Sequence, residues 1–332
     1  MLQNTMRRGL TFAAVMLAGA FVSSALAQQQ QAASWSTAAP LPMPRSEMKA
    51  VTANGKIYLI GGSWTEMKDG QDVDNYTTGF TTEYDPQTNR FRERAKGPEG
   101  LTHQALAVLN GKIYAAGGFA ASRHTMSSGN VYAYDPATDR WETLPPLSEK
   151  RGGGTLAAVG GMLHAIGGRV MGEDVLATHE VYNPATRTWR RVAPMPTPRD
   201  HVASFVVDGK IHVIGGRVGE TEANVANHDI YDPATDRWTS APPMPTPRSS
   251  LAYAEYRGLL VVAGGECRDR MAYNEVEAFD TRNNRWVTLP DLPQPRHGFA
   301  AAVAADKLFF FGGSTRCGGG GKTAETVILT LR

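Results

Sequence analysis

Six glycine pairs divide the chain: Gly61-Gly62, Gly117-Gly118, Gly167-Gly168, Gly215-Gly216, Gly264-Gly265 and Gly312-Gly313, spaced by 56, 50, 48, 49 and 48 residues. Self-similarity at such an interval means one supersecondary unit used repeatedly, which constrains the fold before any single element is considered. Each pair follows a short apolar run of strand type, such as Lys56-Ile57-Tyr58-Leu59-Ile60 or Lys307-Leu308-Phe309-Phe310-Phe311. After each of the first five comes a second strand ending in an aromatic, a turn of the Asp-Pro-Ala-Thr-Asp-Arg type, and another aromatic. The aromatic pairs are Tyr84/Phe91, Tyr134/Trp141, Tyr182/Trp189, Tyr231/Trp238 and Phe279/Trp286, always seven apart. A constant interval predicts a constant hairpin register. The turns explain it: Asp135-Pro136 or Asp232-Pro233 places an Asx acceptor and a preset φ at the start of a tight turn, and the flanking aromatics pair across the strands. Pro-rich connections such as Pro242-Pro243-Met244-Pro245-Thr246-Pro247-Arg248 follow. Each repeat therefore predicts four short strands and no helix, an all-β chain.

Paired glycines, a Tyr and a Trp at fixed spacing and a period of about 50 residues resemble the kelch repeat, and the match covers essentially everything after the N-terminal segment. The resemblance implies a six-bladed kelch-type β-propeller of four-stranded blades around a central channel. Blade one departs from the pattern with Phe91 in place of Trp. The last repeat stops after residues 325–332, which fit a third strand, and its outer strand with the Trp is missing there. The missing piece stands at the other end, where Trp35 to Arg45 matches Trp238 to Arg248. The ring is thus expected to close by an N-terminal outer strand completing the C-terminal blade, which removes an open sheet edge.

Residues 1–27 read as an export signal: Arg7 and Arg8 start it, Gly9 to Val22 is apolar and short for a membrane span, and Ala25-Leu26-Ala27 fits small-residue cleavage. An N-terminal membrane anchor is the competing reading; no second apolar run of spanning length follows. The paired arginines weakly suggest the twin-arginine route. Residues 28–34 read as a tether and 35–332 as the propeller. The mature chain is then expected in the periplasm or secreted, as a monomer without stable membrane insertion. Without Arg7 and Arg8 the basic and acidic residues balance at 32 each, which excludes a general nucleic-acid binder.

Because propeller strands run up and down, the Gly-Gly loops and the Pro-Arg connections share one end, the top. Top loops vary in length, from 22 residues between Gly62 and Tyr84 to 14 in blade three, and variable loops on a rigid frame are where binding resides. The longest contains Asp69, Asp72 and Asp74, without the spacing of a calcium loop. Arg45, Arg151, Arg199, Arg248 and Arg296 each lie ten residues after a Trp and sixteen before a Gly-Gly, with Leu101 in that place in blade two. Arg169 and Arg217 directly follow their glycine pairs. These seven, a basic collar suited to a small anionic ligand or an acidic peptide, are with Glu266 the candidate ligand-binding residues. The alternative is that each arginine buttresses its own loop by bonding backbone carbonyls, and residue spacing leaves both open.

The resemblance extends each reading. In kelch substrate-adaptor propellers, arginines at this repeat position bind acidic peptides, which implies a similar pocket for Arg151, Arg199, Arg248 and Arg296. The chain is expected to be exported and to lack the adaptors' additional oligomerisation domains, so only the pocket, not their ubiquitin-linked role, is expected to carry over. The chain also resembles periplasmic sialic-acid epimerases (mutarotases), whose chemistry needs a proton-moving carboxylate and an arginine for the sugar acid. That implies Glu266 and Arg270 as alternative catalytic residues, with Arg268 nearby; the competing reading of Glu266 is a salt-bridge partner inside a basic mouth. A further relative, galactose oxidase, holds copper through tyrosines and histidines. The eight histidines here show no clustered ligand spacing, and His103 and His201, at one repeat position, sit two blades apart. No metal or other cofactor is expected. Cys267 and Cys317, in top loops of adjacent blades, are expected to form a disulfide, with two free thiols the alternative.

Overall fold

The computed structural model describes residues 33–331 except 69–70, 76–78, 121–125, 173, 222 and 267. The residues expected to form an export signal, most of the expected tether, Asp69 and Cys267 lie outside the described residues. Six antiparallel four-stranded sheets form the blades. Their inner strands are Lys49–Ala53, Ala105–Leu109, Thr155–Val159, Ala203–Val207, Ala252–Tyr256 and Ala300–Ala304. Each of these packs against the next, and the last returns to the first, closing a six-fold ring around an axial channel.

The sixth sheet orders Ala300–Ala304, Lys307–Phe311, Thr326–Leu331 and, outermost, Ala33–Thr37. Trp35 stands opposite Leu329, the place that Trp141 takes opposite Tyr134 and Trp238 opposite Tyr231. The closing strand begins at Ala33, so the last two tether residues belong to the sheet. Each outer-strand Trp also reaches the preceding blade: the indole N–H groups of Trp141, Trp189, Trp238 and Trp286 donate to Ala95, Pro145, Ala193 and Pro242 carbonyls, each at 2.9 Å. Trp35 does the same to Pro290 at 3.3 Å, whereas Phe91 has no N–H to give. The tryptophan therefore serves as a strap between blades, which explains its fixed distance from the turn.

The paired glycines are required by close approach. Gly264 has φ +59 and Gly265 φ +137, and a Cβ on Gly264 would sit 2.3 Å from the Arg296 carbonyl oxygen. The same oxygen accepts the Gly265 N–H at 3.0 Å, and five equivalent bonds run around the ring, from Gly62 to Leu101, Gly118 to Arg151, Gly168 to Arg199, Gly216 to Arg248 and Gly313 to Arg45. The pair thus grips the following blade by its backbone. The apolar core lies between blades: Val261, Ala263 and Val276 of blade five meet Leu308, Phe310 and Leu329 of blade six.

Two features depart from the regular pattern. In blade two, Gly117-Gly118 lie inside a longer strand, Lys112–Ala120, paired with Met126–Asp135 across a register shift between Ala116 and Gly118. In blade one, the long top loop folds as a hairpin, Ser63–Lys68 with Gln71–Asn75, joined to Arg45–Ser46. Asp72 and Asp74 lie in its second strand, and no group of three metal-ligating side chains occurs among the described residues.

Candidate functional site at the channel mouth

The connection into each blade ends in a residue with left-handed backbone: Glu47, His103, Gly153, His201, Ser250 and Gly298, with φ between +54 and +69. Their peptide groups form a closed circle. Glu47 N–H donates to Gly298, Gly298 to Ser250, Ser250 to His201, His201 to Gly153, Gly153 to His103 and His103 to Glu47, at 2.5–3.1 Å. This circle narrows the channel, and the cavity at its level is only about 20 Å³. Above it opens a mouth cavity of about 200 Å³, and below it the channel widens to about 320 Å³ between mainly apolar inner strands.

The mouth is lined from several blades by Glu47, His103, Arg169, His201, Arg217 and Glu266, with Phe119, Lys322 and the Gly318-Gly319 backbone at its rim. Asp200, fully buried, organises the basic side: its carboxylate pairs with Arg217 Nε at 3.2 Å and Arg169 Nε at 3.3 Å, and lies 3.1 Å from His201 Nδ1. Burial works against this charge, but His201, Arg217 and Arg169 hold the Asp200 carboxyl down at about 2. Burial, then Arg217, push His201 down to about 4, so at neutral pH its Nε2 accepts from Arg217 Nη2 at 3.2 Å. Arg217 Nη1 pairs with Glu266 Oε2 at 3.2 Å, and the Gly318 N–H donates to Glu266 Oε1 at 2.8 Å. On the other side Glu47 Oε2 meets His103 Nε2 at 2.8 Å. Burial opposes the Glu47 charge, but His103, His297 and His201 hold its carboxyl well below the usual range. Arg169 gives Nη2 to the Gly219 carbonyl at 2.5 Å, and its Nη1 makes no hydrogen bond among the described residues. With its side chain 17% exposed against 0% for Asp200, the guanidinium rather than the carboxylate faces the cavity.

Of the seven candidate arginines, then, Arg169 and Arg217 line the mouth together with Glu266. The other five do not, and the expected collar is corrected. Arg199, Arg248 and Arg296 are fully buried and Arg45 and Arg151 are 3% exposed. Arg151 pairs with Glu180 at 2.8 Å, Arg199 with Asp229 at 2.8 Å, Arg248 with Glu277 at 2.7 Å and Arg296 with Glu325. They also donate to backbone carbonyls, as Arg199 Nε does to Gly215. A desolvated cation inside a blade has to be answered by charge and hydrogen bonds there, and a guanidinium so committed is closed to a ligand. Arg270 is exposed in a tight turn at φ +64, outside the cavity lining. Arg268 stacks on Tyr273 and pairs with Glu275 at 2.7 Å.

The residues missed are Asp200, Glu47 and the roles of His103 and His201. His103 and His201 sit on blades two apart, yet their rings are 4.8 Å from centroid to centroid, because a left-handed residue at the axis brings distant blades together. Glu47 stands at the same repeat position, two residues after Arg45, and that shared offset was the available signal.

The family model for the KLHDC2/KLHL20/DRC7 Kelch-repeats domain matches residues 24–195 and 149–313. The chain belongs to the kelch-repeat family. Among curated kelch proteins it is 37% identical over 120 residues to the Kelch-like protein terF of Aspergillus terreus, covering 35% of this chain and 25% of that protein. It is 31% identical over 124 residues to the Kelch repeat and BTB domain-containing protein 12 of Danio rerio, covering 35% and 20%. The matches thus span a quarter or less of these relatives' length. The solved structure of YjhT superposes with a TM-score of 0.73 at 16% identity, over 90% of this chain and 98% of that one, which shows a shared fold.

Proposed function

We propose that this kelch propeller is exported to the periplasm or medium and binds a small carboxylate ligand, of the size of a sugar acid, in the mouth cavity. The observation that carries the reading is the pair of guanidiniums oriented by one buried carboxylate: Asp200 fixes Arg169 and Arg217 from behind. Arg169 is then a prepositioned fork for a ligand carboxylate, and prior orientation reduces the entropy lost on binding. The Gly318-Gly319 backbone, Ser46, Ser63 and Thr221 supply polar groups for hydroxyls at the same cavity wall. A screen of sugar acids by NMR tests this. Arg169→Ala is expected to weaken binding at least tenfold and to reduce its salt dependence; unchanged affinity rejects the site.

A second reading, mutarotation of the bound sugar acid, is favoured by Glu266, whose carboxylate lines the same cavity and is fixed by Arg217 and the Gly318 N–H. It predicts accelerated anomer exchange that disappears in Glu266→Gln while binding persists. Export is supported by the charged, apolar and small-residue order of residues 7–27; fractionation and N-terminal mass of the mature chain test it. A bond from Cys317 to Cys267 would tie the top loops of blades five and six beside this cavity, and intact mass before and after reduction decides it.

A further inference from the structure

Below the circle of peptides the channel forms a second cavity, and its lining differs in kind from that of the mouth. Alternate residues of a strand face one way. The second residue of each inner strand, Ala50, Leu106, Leu156, Ser204, Tyr253 and Ala301, reaches the lumen from all six blades. Bulky side chains stand on blades two, three and five and alanines on the neighbouring blades one and six, so the open space lies against blades one and six. The wall continues outward through Val108, Val206 and Val303, two residues further along their strands, and Val206 is left 37% exposed. At about 320 Å³ the space falls within the range of about 300–1,000 Å³ for small-molecule pockets, which combine apolar walls with a few placed polar groups.

One cation reaches into it. Lys49 opens the inner strand of blade one, yet its Nζ lies 5.0 Å from the centre of the Tyr253 ring on blade five. Blade six stands between those two, so the side chain crosses the lumen to get there. Tyr253 lines the lower cavity and neither of the two above it, which puts the ammonium beneath the circle. The ring holds the cation in place but accepts none of its hydrogen bonds, and no carboxylate, hydroxyl or carbonyl pairs with Lys49 Nζ among the described residues. The loop acids Asp69, Asp72, Asp74, Glu173 and Glu222 follow glycine pairs in sequence and so belong to the other end of the ring, and residues 1–32 contain no acid. At the depth of Tyr253 lies a hydroxyl cluster: Ser204 Oγ bonds Thr155 Oγ1, which is 3.4 Å from the Tyr253 hydroxyl. The acidic residue in the lining is Glu255, two residues and about 7 Å further out along blade five. It is exposed, and its Oε1 accepts the Gly258 N–H at 2.7 Å. The lumen is therefore positive at its narrow inner end, apolar along its walls and negative only at its lip.

The geometry points to a second binding site, in the lower channel, for a small monocarboxylate with an apolar body. The carboxylate pairs with Lys49 at the inner end, beside the hydroxyl cluster, and the body lies against the alanine side of blades one and six. Such a ligand answers both the unpaired ammonium and the apolar walls, and it differs from a hydroxyl-rich acid in the mouth. The probes are phenylacetate and 4-methylpentanoate, an aromatic and an aliphatic body on one head group, titrated by ligand-observed NMR beside the neutral 2-phenylethanol. At least one acid should bind about tenfold or more tightly than the alcohol, the factor that a hydrogen bond to a charged group supplies. Lys49→Met should erase that preference, and Lys49→Glu should transfer it to 2-phenylethylamine, a gain that a merely unfolded variant would not show. Arg169→Ala, at the other end of the channel, should leave it intact. The proposal is overturned if neither acid binds the parent, if the preference for the acids survives Lys49→Met, or if it is lost in Arg169→Ala.

Discussion

Blade two offers a natural control for the buried ion pairs. There Leu101 takes the arginine position and is fully buried, Tyr132 takes the position of the acid, and the Tyr132 hydroxyl donates to Glu99 at 3.1 Å. Blade five has Thr246, Arg248 and Glu277 at the corresponding places, with Arg248 fully buried and Glu277 5% exposed. Arg248 Nη2 donates to Glu277 at 2.7 Å and Nη1 to the Glu275 carbonyl at 2.6 Å. Arg248→Leu alone leaves a buried carboxylate with only the Thr246 hydroxyl, at 2.9 Å, as its side-chain donor. Glu277→Leu alone leaves a buried cation. Each is expected to destabilise by about 3–5 kcal/mol, the range for breaking a buried pair. That is a shift on the order of 1 M in the urea midpoint for a chain of this size. The full exchange, Thr246→Glu with Arg248→Leu and Glu277→Tyr, removes both charges from the interior and restores the pattern that blade two tolerates, so its cost should fall to about 1–2 kcal/mol. Equilibrium urea unfolding followed by tryptophan fluorescence measures all three. If the triple variant loses as much as the single losses added together, the pair is not the unit that stabilises the blade and the reasoning fails. Carboxylate binding at the mouth should be the same in the triple variant as in the parent, since none of the three positions lines that cavity.

Acid should loosen blades three and four. His164 and His212 are each pushed down to about 4, His179 to about 3 and His228 to about 4, all mainly by burial. The unfolded chain binds these protons near pH 6.5 and the folded chain does not, so stability is full above pH 6.5 and falls as pH drops towards 4. The loss amounts to about 3 kcal/mol for each histidine at the end of that window; urea midpoints that stay constant from pH 7 to 4.5 would contradict this. Trp35→Ala removes a side chain packed 5.4 Å from Phe310 and the strap to Pro290. It should cost about 2–4 kcal/mol, and deletion of residues 33–37 should produce edge-to-edge association visible by size-exclusion chromatography. Gly264→Ala drives a Cβ to 2.3 Å from the Arg296 carbonyl at positive φ, so thermal unfolding should show a loss larger than that of Gly55→Ala, whose added methyl meets nothing within 4 Å.

The blade architecture was legible because its constraints repeat. The interval from Tyr134 to Trp141 states a hairpin register, the glycine pairs mark an inter-blade grip, and the likeness of Trp35–Arg45 to Trp238–Arg248 discloses the closure. The arginines were misread because their even spacing describes where they start and not where their side chains end. The correcting signal was present: Glu180, Glu277 and Glu325 each follow their arginine by 29 residues and Asp229 follows Arg199 by 30. Where the arginine is replaced by Leu101, the acid is replaced by Tyr132. The mouth was harder to see, because the adjacent Asp200 and His201, Glu266 and Glu47 come from three different blades and meet only through convergence at the axis.

The circle of peptide bonds from Glu47 round to Gly298 works as a washer with one tooth per blade. Its bore is set by how many teeth there are, so it cannot dilate smoothly; enlarging it means breaking links in the circuit. Solutes larger than water therefore do not travel from one end of the toroid to the other, and each end is chemically isolated, free to diverge in what it accepts without altering its counterpart.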